Sequence, residues 1–390
     1  MLDFKPTEED LAIAATVRAF VDRELKPLES FLLERDIAGG PPGLTMEERD
    51  GLRAKAEASG LWGISVPEEY GGPGLGYVAQ AMVAFELGRT PIEFFFGGFV
   101  PDILYLLNDE QKERYLLPTL KGDREFCFML SEPGVGSDAR NVRTTATREG
   151  DDWVISGEKI WISNGNEADY GVVFCRTVDG GTEKGITAFL VDRDMGWKSS
   201  EIKMMGTHHA ASISFQDVRV PDANRFGEVG EGFTTAMSFI HTNRALLLPG
   251  LMVGACERML EMAIEHSKNR VTFGKPLAER ENIKFMIAES EIELRALKLM
   301  VLHAAWQADQ SVDIRHSACF TKFYGANVAN RVVDRVLQIH GGIGYSKEMP
   351  IERWYRDLRV ARIYEGSDEM NLQTISRNLL KGYEPVGKLW

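Results

Sequence analysis

The chain has 390 residues, 44% of them hydrophobic and 26% charged, which is the composition of a soluble globular protein of two or three domains. Its net charge of -13 argues against nucleic acid as the main partner, since there is no basic surplus to neutralise phosphates. No stretch approaches the roughly 18 apolar residues of a membrane span, and the acidic N-terminus lacks the basic region of a leader, so a cytoplasmic protein with no membrane partner is expected.

Residues 1–126 read as helices with short breaks. Thr7 caps LAIAATVRAFVDREL, PEEYGGPGLG (67–76) is a loop, and NDEQKERYLLPTLKGD (108–123) is a capped helix stopped by Pro118. Over 127–233 the apolar period falls from 3.6 to 2. DWVISGEKIWISN reads as two short strands around a hairpin at Ser156-Gly157-Glu158. YGVVFCRT, GITAFLVDR and SISFQDVRV follow as strands, and the alternation in the last slips at Gln216-Asp217, as at a β-bulge. With no helix between these strands, an antiparallel sheet or barrel is favoured over a parallel one. Over 234–390 long helices return. Met252, Cys256, Met259, Leu260 and Ala263 share one face, and 283–309 and 316–338 carry similar stripes, as in a helical bundle. The fold class is therefore α+β multidomain: an N-terminal all-α domain (1–126), a middle antiparallel β-sheet or barrel domain (127–233) and a C-terminal four-helix bundle (234–390). Residues 1–126 hold 13 basic against 23 acidic side chains and residues 234–390 hold 21 against 18, so the C-terminal part is the better host for a phosphorylated ligand.

The scattered Cys127, Cys175, Cys256 and Cys319 form neither a CxxC nor a Cys/His cluster, so buried thiols in a reducing compartment are expected and no metal site. No P-loop and no GxGxxG in a βαβ context occurs. Three constellations carry possible chemistry. LSEPGVGSD (130–138) offers the hydroxyls of Ser131 and Ser137, and Gly134 and Gly136 let backbone approach a flat or anionic ligand; on residue types alone it is equally a turn. In WISNG (161–165), alternation places Trp161 and Ser163 on one face, suited either to covering a heteroaromatic ring or to an ordinary core. In IYEGSDEMN (363–371), Glu365 lies between Tyr364 and Gly366, where a carboxylate can be partly desolvated yet open to substrate, the condition for a base; a solvated helix-end glutamate has the same local sequence.

These motifs, in this order within an α–β–α chain of this length, resemble the acyl-CoA dehydrogenase family, as do NRVTFGKP (269–276) and LQIHGGIGY (337–345), and the likeness runs from about residue 5 to 385. The resemblance implies FAD as cofactor. Leu130 and Ser131 would bond the flavin pyrimidine edge, Trp161 would pack on the ring system, and Ser163 would approach N5. Phe128, Gly136, Ser137, Ser367 and Glu369 also match cofactor positions. Arg270, Thr272, Phe273, Gln338 and Gly342 match residues that reach a neighbouring subunit's FAD, which implies a homo-oligomer, a tetramer built as a dimer of dimers. On the substrate side the resemblance implies Ser137 beside the CoA chain, with His241, Arg244, Tyr364 and Gly366. Glu365 would take the α-proton of an acyl-CoA thioester as hydride leaves the β-carbon, giving the trans-2-enoyl-CoA, and an electron-transfer flavoprotein would accept the electrons.

Four positions depart from the family pattern. Asn243 cannot replace Glu365 as base, and His241 stands where an aspartate is frequent. Glu369 replaces a glutamine near the FAD phosphates and calls for a cation such as Arg270 or Arg377. The phenylalanines of EFFFGGF (93–99) either shorten the acyl pocket or belong to the core. Two other readings compete: an O₂-using acyl-CoA oxidase or flavin monooxygenase on the same fold, told apart by peroxide release, and a non-enzymatic scaffold, told apart by the absence of a flavin spectrum.

Overall fold

The computed structural model describes residues 5–97 and 102–389, except for the side chains of 238–243. Helices α1 (Glu8–Phe20), α2 (Leu28–Ile37), α3 (Met46–Ala58) and α4 (Tyr77–Leu87) open the chain, followed by the short α5 (Asp109–Gln111) and α6 (Leu117–Lys121). Strands β1 (Phe126–Met129), β2 (Thr145–Glu149), β3 (Asp152–Ser163), β4 (Tyr170–Asp179), β5 (Thr182–Asp192), β6 (Lys198–Ile202), β7 (Ala210–Pro221) and β8 (Arg225–Phe226) come next. After α7 (Gly232–Thr242) and α8 (Leu248–Asn269), the hairpin β9 (Val271–Thr272) and β10 (Lys275–Pro276) leads to α9 (Glu281–Asp309), α10 (Arg315–His340), α11 (Gly342–Tyr345), α12 (Ile351–Arg359) and α13 (Asp368–Leu380). The chain thus has an N-terminal helical region, a middle sheet and a C-terminal helical region. Two compact units result: Met1–Phe96 with His241–Trp390, and Gly97–Ile240.

In the helical unit the expected cap is present. The Thr7 hydroxyl accepts from Asp10 N at 3.1 Å while the Asp10 carboxylate accepts from Thr7 N, a reciprocal capping box. The apolar face of α8 (Met252, Cys256, Met259, Leu260, Ala263) is buried against Leu294, Leu297 and Val301 of α9 and Val328, Val332 and Val336 of α10. The N-terminal helices are tied to this bundle by charge. Glu29 of α2 accepts from both terminal nitrogens of Arg258 of α8, each at 2.7 Å, and from Thr90 Oγ1 at 2.7 Å. Removing one partner of such a buried, bidentate pair costs about 3–5 kcal/mol, because the other charge is left uncompensated.

Pro118 does not stop its helix. A π-turn at Lys112–Leu116 precedes it, and the helix continues to Lys121 before Gly122 ends it. The same arrangement recurs at Asn243–Leu247 ahead of Pro249, whereas after the π-turn at Val21–Leu25 the helix breaks and Pro27 stands at the N-cap of α2. A proline removes a donor and crowds the carbonyl four residues back; a widened turn accommodates both, so the helix proceeds.

In the other unit the strand order is β6-β7-β3-β2-β4-β5-β8, with β1 beside β4. Most neighbours are antiparallel, as expected, but β1–β4 and β2–β4 are parallel. The chain leaves β3, passes through 164–169 and re-enters on the far side of β2, which sets β4 parallel to it. The expected hairpin at Ser156-Gly157-Glu158 is absent: β3 is one strand of 12 residues. Gly157 is needed there for another reason, since a Cβ would lie 2.7 Å from Thr144 Cα. Opposite it is the bulge expected at Gln216-Asp217, with Asp217 at φ 51° and Ser156 Oγ donating to its carboxylate at 2.7 Å. Trp153 and Phe189, with ring centroids 5.5 Å apart, centre the core of this sheet.

Candidate active site

The first set of site residues lies where β1 gives way to a loop beside β3. Pro133-Gly134 forms a tight turn closed by reciprocal bonds, Glu132 N to Val135 O (3.0 Å) and Val135 N to Glu132 O (2.9 Å). The Glu132 side chain turns inward and pairs with Lys159 at 2.7 Å, both nearly excluded from solvent. The Lys159 ammonium also donates to Leu130 O (3.2 Å) and Phe174 O (2.6 Å), so all three of its donors are used. The carboxylate accepts in addition from the N–H groups of Arg143 (2.5 Å) and Thr144 (2.9 Å). Burial pushes the Lys159 pKa down; burial would also raise that of Glu132, but Lys159 and the hydrogen bonds hold it below the ordinary carboxylate value. Ile160 N donates to Ser131 O at 3.0 Å, which fixes the loop alongside β3.

β3 then slips register between Lys159 and Ile162, and Trp161 takes a left-handed φ of 62°. Its indole is 56% exposed, whereas the core tryptophan of the sheet is the fully buried Trp153, so the reading of Trp161 as a core residue falls. Ser163, Gly136 and Ser137 are exposed, Ser131 is half-buried, and Phe128 packs against Phe174 with centroids 4.9 Å apart.

The second set surrounds Glu365. Its φ of 55° and the 83° of Gly366 put two successive residues in the left-handed region just before Ser367 caps α13. For glutamate that conformation costs on the order of 1–3 kcal/mol, and residues so held cluster at functional sites. Glycine suits position 366 because its φ of 83° is one that L side chains rarely adopt, and the guanidinium of Arg244 lies close against it, Nη2 2.8 Å from where a Cβ would be. Arg244 sits in the π-turn ahead of Pro249, and its Nε is 3.9 Å from Glu365 Oε2, an ion pair whose members are 16% and 18% exposed. Burial disfavours the arginine's charge, and Glu365 is the largest counterweight.

A web of bonds fixes the turn. Lys322 Nζ donates to Gly366 O at 2.6 Å, and Asn371 Nδ2 donates to Gly366 O (2.8 Å) and Ser367 O (3.0 Å). Asp368 accepts from Arg362 Nε (2.7 Å) and Asn327 Nδ2 (3.1 Å). Tyr364 is 40% exposed beside it.

A third set is formed by the β9–β10 hairpin and the end of α10. Phe273 at the hairpin tip is 98% exposed at φ 50°, with Arg280 over its ring and donating to Thr272 O at 2.5 Å. Arg270, Gln338 and Gly342 are exposed. The rings of His266 and His340, 4.4 Å apart, join the two segments.

Glu132, Lys159, Lys322 and Asn371 were not among the expected site residues, although each holds one of their loops. Of the expected ones, the side chains of His241 and Asn243 lie outside the described residues, as do residues 98 and 99 of EFFFGGF. Phe94 and Phe96 are core residues: with Phe20 they form an aromatic trio at centroid distances of 5.1–6.0 Å, so the reading of Phe94 as the floor of an acyl pocket is replaced by packing. Glu369 is exposed in the first turn of α13, and its own N–H, Ser367, Arg362 and Lys322 hold its pKa down, where the sequence suggested Arg270 or Arg377 as partner.

An exposed indole and the hydroxyl of Ser163 at the end of β3, with the Ser131 hydroxyl on the loop beside that strand, have the chemistry that a flavin ring requires: a flat apolar face and donors for ring nitrogens and oxygens. Sequence models of the family match along the chain: "Acyl-CoA dehydrogenase, N-terminal domain" at 7–123, "middle domain" at 127–218 and "C-terminal domain" at 230–380. The chain is 35% identical to (R)-benzylsuccinyl-CoA dehydrogenase of Thauera aromatica, covering 97% of each chain. It is 33% identical to the caffeyl-CoA reductase-Etf complex subunit CarC of Acetobacterium woodii, over 96% of this chain and 99% of the other. A solved glutaryl-CoA dehydrogenase from Mycobacterium smegmatis in complex with FADH2 superposes with a TM-score of 0.84 at 27% identity, over 98% of this chain and 97% of that one. The chain belongs to the acyl-CoA dehydrogenase family, FAD-binding oxidoreductases that act on CH–CH groups.

Proposed function

We propose that the protein dehydrogenates an acyl-CoA thioester between its α and β carbons, with Glu365 as the base that takes the α-proton. The observation that carries this is the turn itself: a glutamate held in a costly left-handed conformation, with a buried arginine against the next residue. A proton α to a thioester is only weakly acidic, so its removal needs both a positioned carboxylate and a donor for the enolate-like oxygen. The backbone N–H of Glu365 would supply that donor, and Arg244, its Nε 3.9 Å from Oε2, would orient the carboxylate. The chemistry that FAD would supply there, when bound, is that of an acceptor for the β-hydrogen as hydride. Phe128, Leu130, Ser131, Gly136, Trp161 and Ser163 would hold its ring; Ser367, Glu369 and, from a neighbouring subunit, Arg270, Thr272, Phe273, Gln338 and Gly342 would hold the rest. Ser137, His241, Arg244, Tyr364 and Gly366 would line the path of the acyl-CoA.

The test is anaerobic stopped-flow reduction of the flavin by an acyl-CoA. Glu365→Gln keeps the size of the side chain but not the proton acceptor, so reduction falls about 10²–10⁴-fold with FAD content unchanged. A near wild-type rate places the base elsewhere.

The sequence division 1–126, 127–233 and 234–390 is our proposal for the domains, supported by the three family matches. The working form is a homo-oligomer. A 98% exposed phenylalanine, with Phe285, Ile292 and Leu299 exposed at seven-residue spacing on α9, leaves an apolar face of the kind a second copy of the chain covers. Light scattering that finds a monomer with stoichiometric FAD would contradict this. An electron-transfer flavoprotein is the proposed acceptor, in keeping with the name of the relative CarC. A cytoplasmic location accords with a chain in which no described helix is long and apolar enough to cross a membrane.

A further inference from the structure

We propose that Lys322 is the positioning residue of the base: from α10 its ammonium grips the carbonyl of Gly366, fixes the left-handed Glu365–Gly366 turn, and by its charge keeps the Glu365 carboxylate ionised. This rests on the reading of Glu365 as the base.

The Lys322 side chain has no exposure to solvent, and it occupies the buried stripe of α10 between Ala318 and Ala326. An ammonium in such a place costs several kcal/mol unless it is compensated. Its hydrogen bond goes to a neutral carbonyl, Gly366 O at 2.6 Å, and not to a carboxylate. The acidic groups Asp368, Glu365 and Glu369 act on it through charge alone. An apolar residue of similar volume would fill the same space at lower cost, so packing does not account for a lysine here. The adjacent Thr321 reaches Arg244 O at 3.3 Å. Two neighbouring residues of one rigid helix therefore touch both elements of the ion pair: the turn that carries the base and the turn that carries its arginine.

The groups that face this cluster are Arg244 from the π-turn, Tyr364, Glu365, Asp368 and Glu369 from the loop and the start of α13, Arg362 before it, Cys319 on α10, and Arg377 on α13. Burial lowers the Lys322 pKa to about 8, with Asp368 as the first counterweight, so the side chain is a cation at neutral pH. A cation in this position favours the ionised form of Glu365, and its removal raises the pH at which the base becomes active.

The experiment uses the FAD-loaded enzyme and the acyl-CoA that bleaches the wild-type flavin fastest in a panel from butyryl-CoA to 3-phenylpropionyl-CoA. Reduction is followed by stopped flow from pH 5 to 9 in Lys322→Met, Lys322→Gln and Lys322→Arg. In Lys322→Met the limiting rate falls about 10–100-fold and the acid limb moves up by about 0.5–1 pH unit, with the apparent Kd for acyl-CoA within about twofold of wild type. Lys322→Gln keeps a donor without the charge, so it recovers part of the rate but not the position of the limb; Lys322→Arg recovers the limb. A wild-type limb and rate in folded, flavin-loaded Lys322→Met overturns the proposal. Should that variant not fold, a wild-type limb in Lys322→Gln overturns it equally. Glu365→Gln, run in parallel, separates the two claims. If it alone abolishes reduction while the Lys322 variants behave as wild type, only the role of Lys322 falls; if it reduces normally, the base assignment falls.

Discussion

Each unit of the protein hangs a site loop on a fully buried lysine, and the two lysines are satisfied in opposite ways. Lys159 meets a carboxylate in direct contact, and Glu132 in turn is bonded to two backbone N–H groups, so the charge is cancelled where it arises. Lys322 meets a backbone carbonyl, with its carboxylates acting from a distance. The first arrangement is a rivet: it fixes Leu130–Glu132 against β3 and β4 and projects little field beyond itself. The second leaves a cation whose field reaches Glu365. Burial depth alone does not distinguish them; the identity of the acceptor does.

Breaking the rivet has the largest expected effect on stability. Lys159→Met leaves the Glu132 carboxylate buried and uncompensated, so the sheet unit loses about 3–5 kcal/mol, read as a lower urea midpoint, and the flavin dissociates more readily. Adding Glu132→Gln restores much of that loss, because the orphaned charge goes with it. If Lys159→Met alone is neutral, the contrast between the two lysines is wrong.

A smaller effect sharpens the comparison through pH. Lys322 binds its proton less tightly in the fold (about 8) than in the unfolded chain, where a lysine keeps its ordinary value. Between these two values the unfolded state carries more protons, so the contribution of this group to stability rises with pH from about 8 to about 10.5. Chemical denaturation across that window should show a steeper rise for wild type than for Lys322→Met; parallel curves would mean that Lys322 titrates normally. Smallest of all is Ser163→Ala, which removes one hydroxyl at the end of β3 and slows flavin reduction by about 3–10-fold, the scale of one hydrogen bond. A loss matching that of Glu365→Gln would give the hydroxyl a larger part than one hydrogen bond accounts for.

Much of this was readable in the residues. The change of period at residue 127 and its return mark the α–β–α order, because burial of one face imposes a spacing on any sequence that forms it. Thr7 and the bulge at Gln216-Asp217 were legible as local rules. Ser156-Gly157 misled: the glycine answers to Thr144 on a neighbouring strand, which a local hairpin signal does not contain. Pro118 misled because the remedy for a proline lies in the turn before it. At the site, Glu365 was found by motif, yet its left-handed backbone was not. Lys159 and Lys322 were passed over although each falls in phase with buried neighbours, Lys159 with Trp153 and Ile155, Lys322 with Ala318 and Gly325. A lysine on an apolar face demands a partner, and that demand was the available signal.

The π-turn at Asn243–Leu247 has a consequence for how this chain tolerates change in length. An extra residue in one helical turn advances the phase by about 100°, so Arg244 points where it does relative to the Met252–Cys256 face only because the segment holds one residue more than a regular helix needs. Deleting a single residue between 243 and 247 would restore an ordinary helix, leave composition and hydrophobic content nearly untouched, and swing the arginine about a quarter of a turn away from Gly366. Such a shortened chain would fold with its bundle face intact and its base unaccompanied, a loss of function written in the count of residues and in none of their identities.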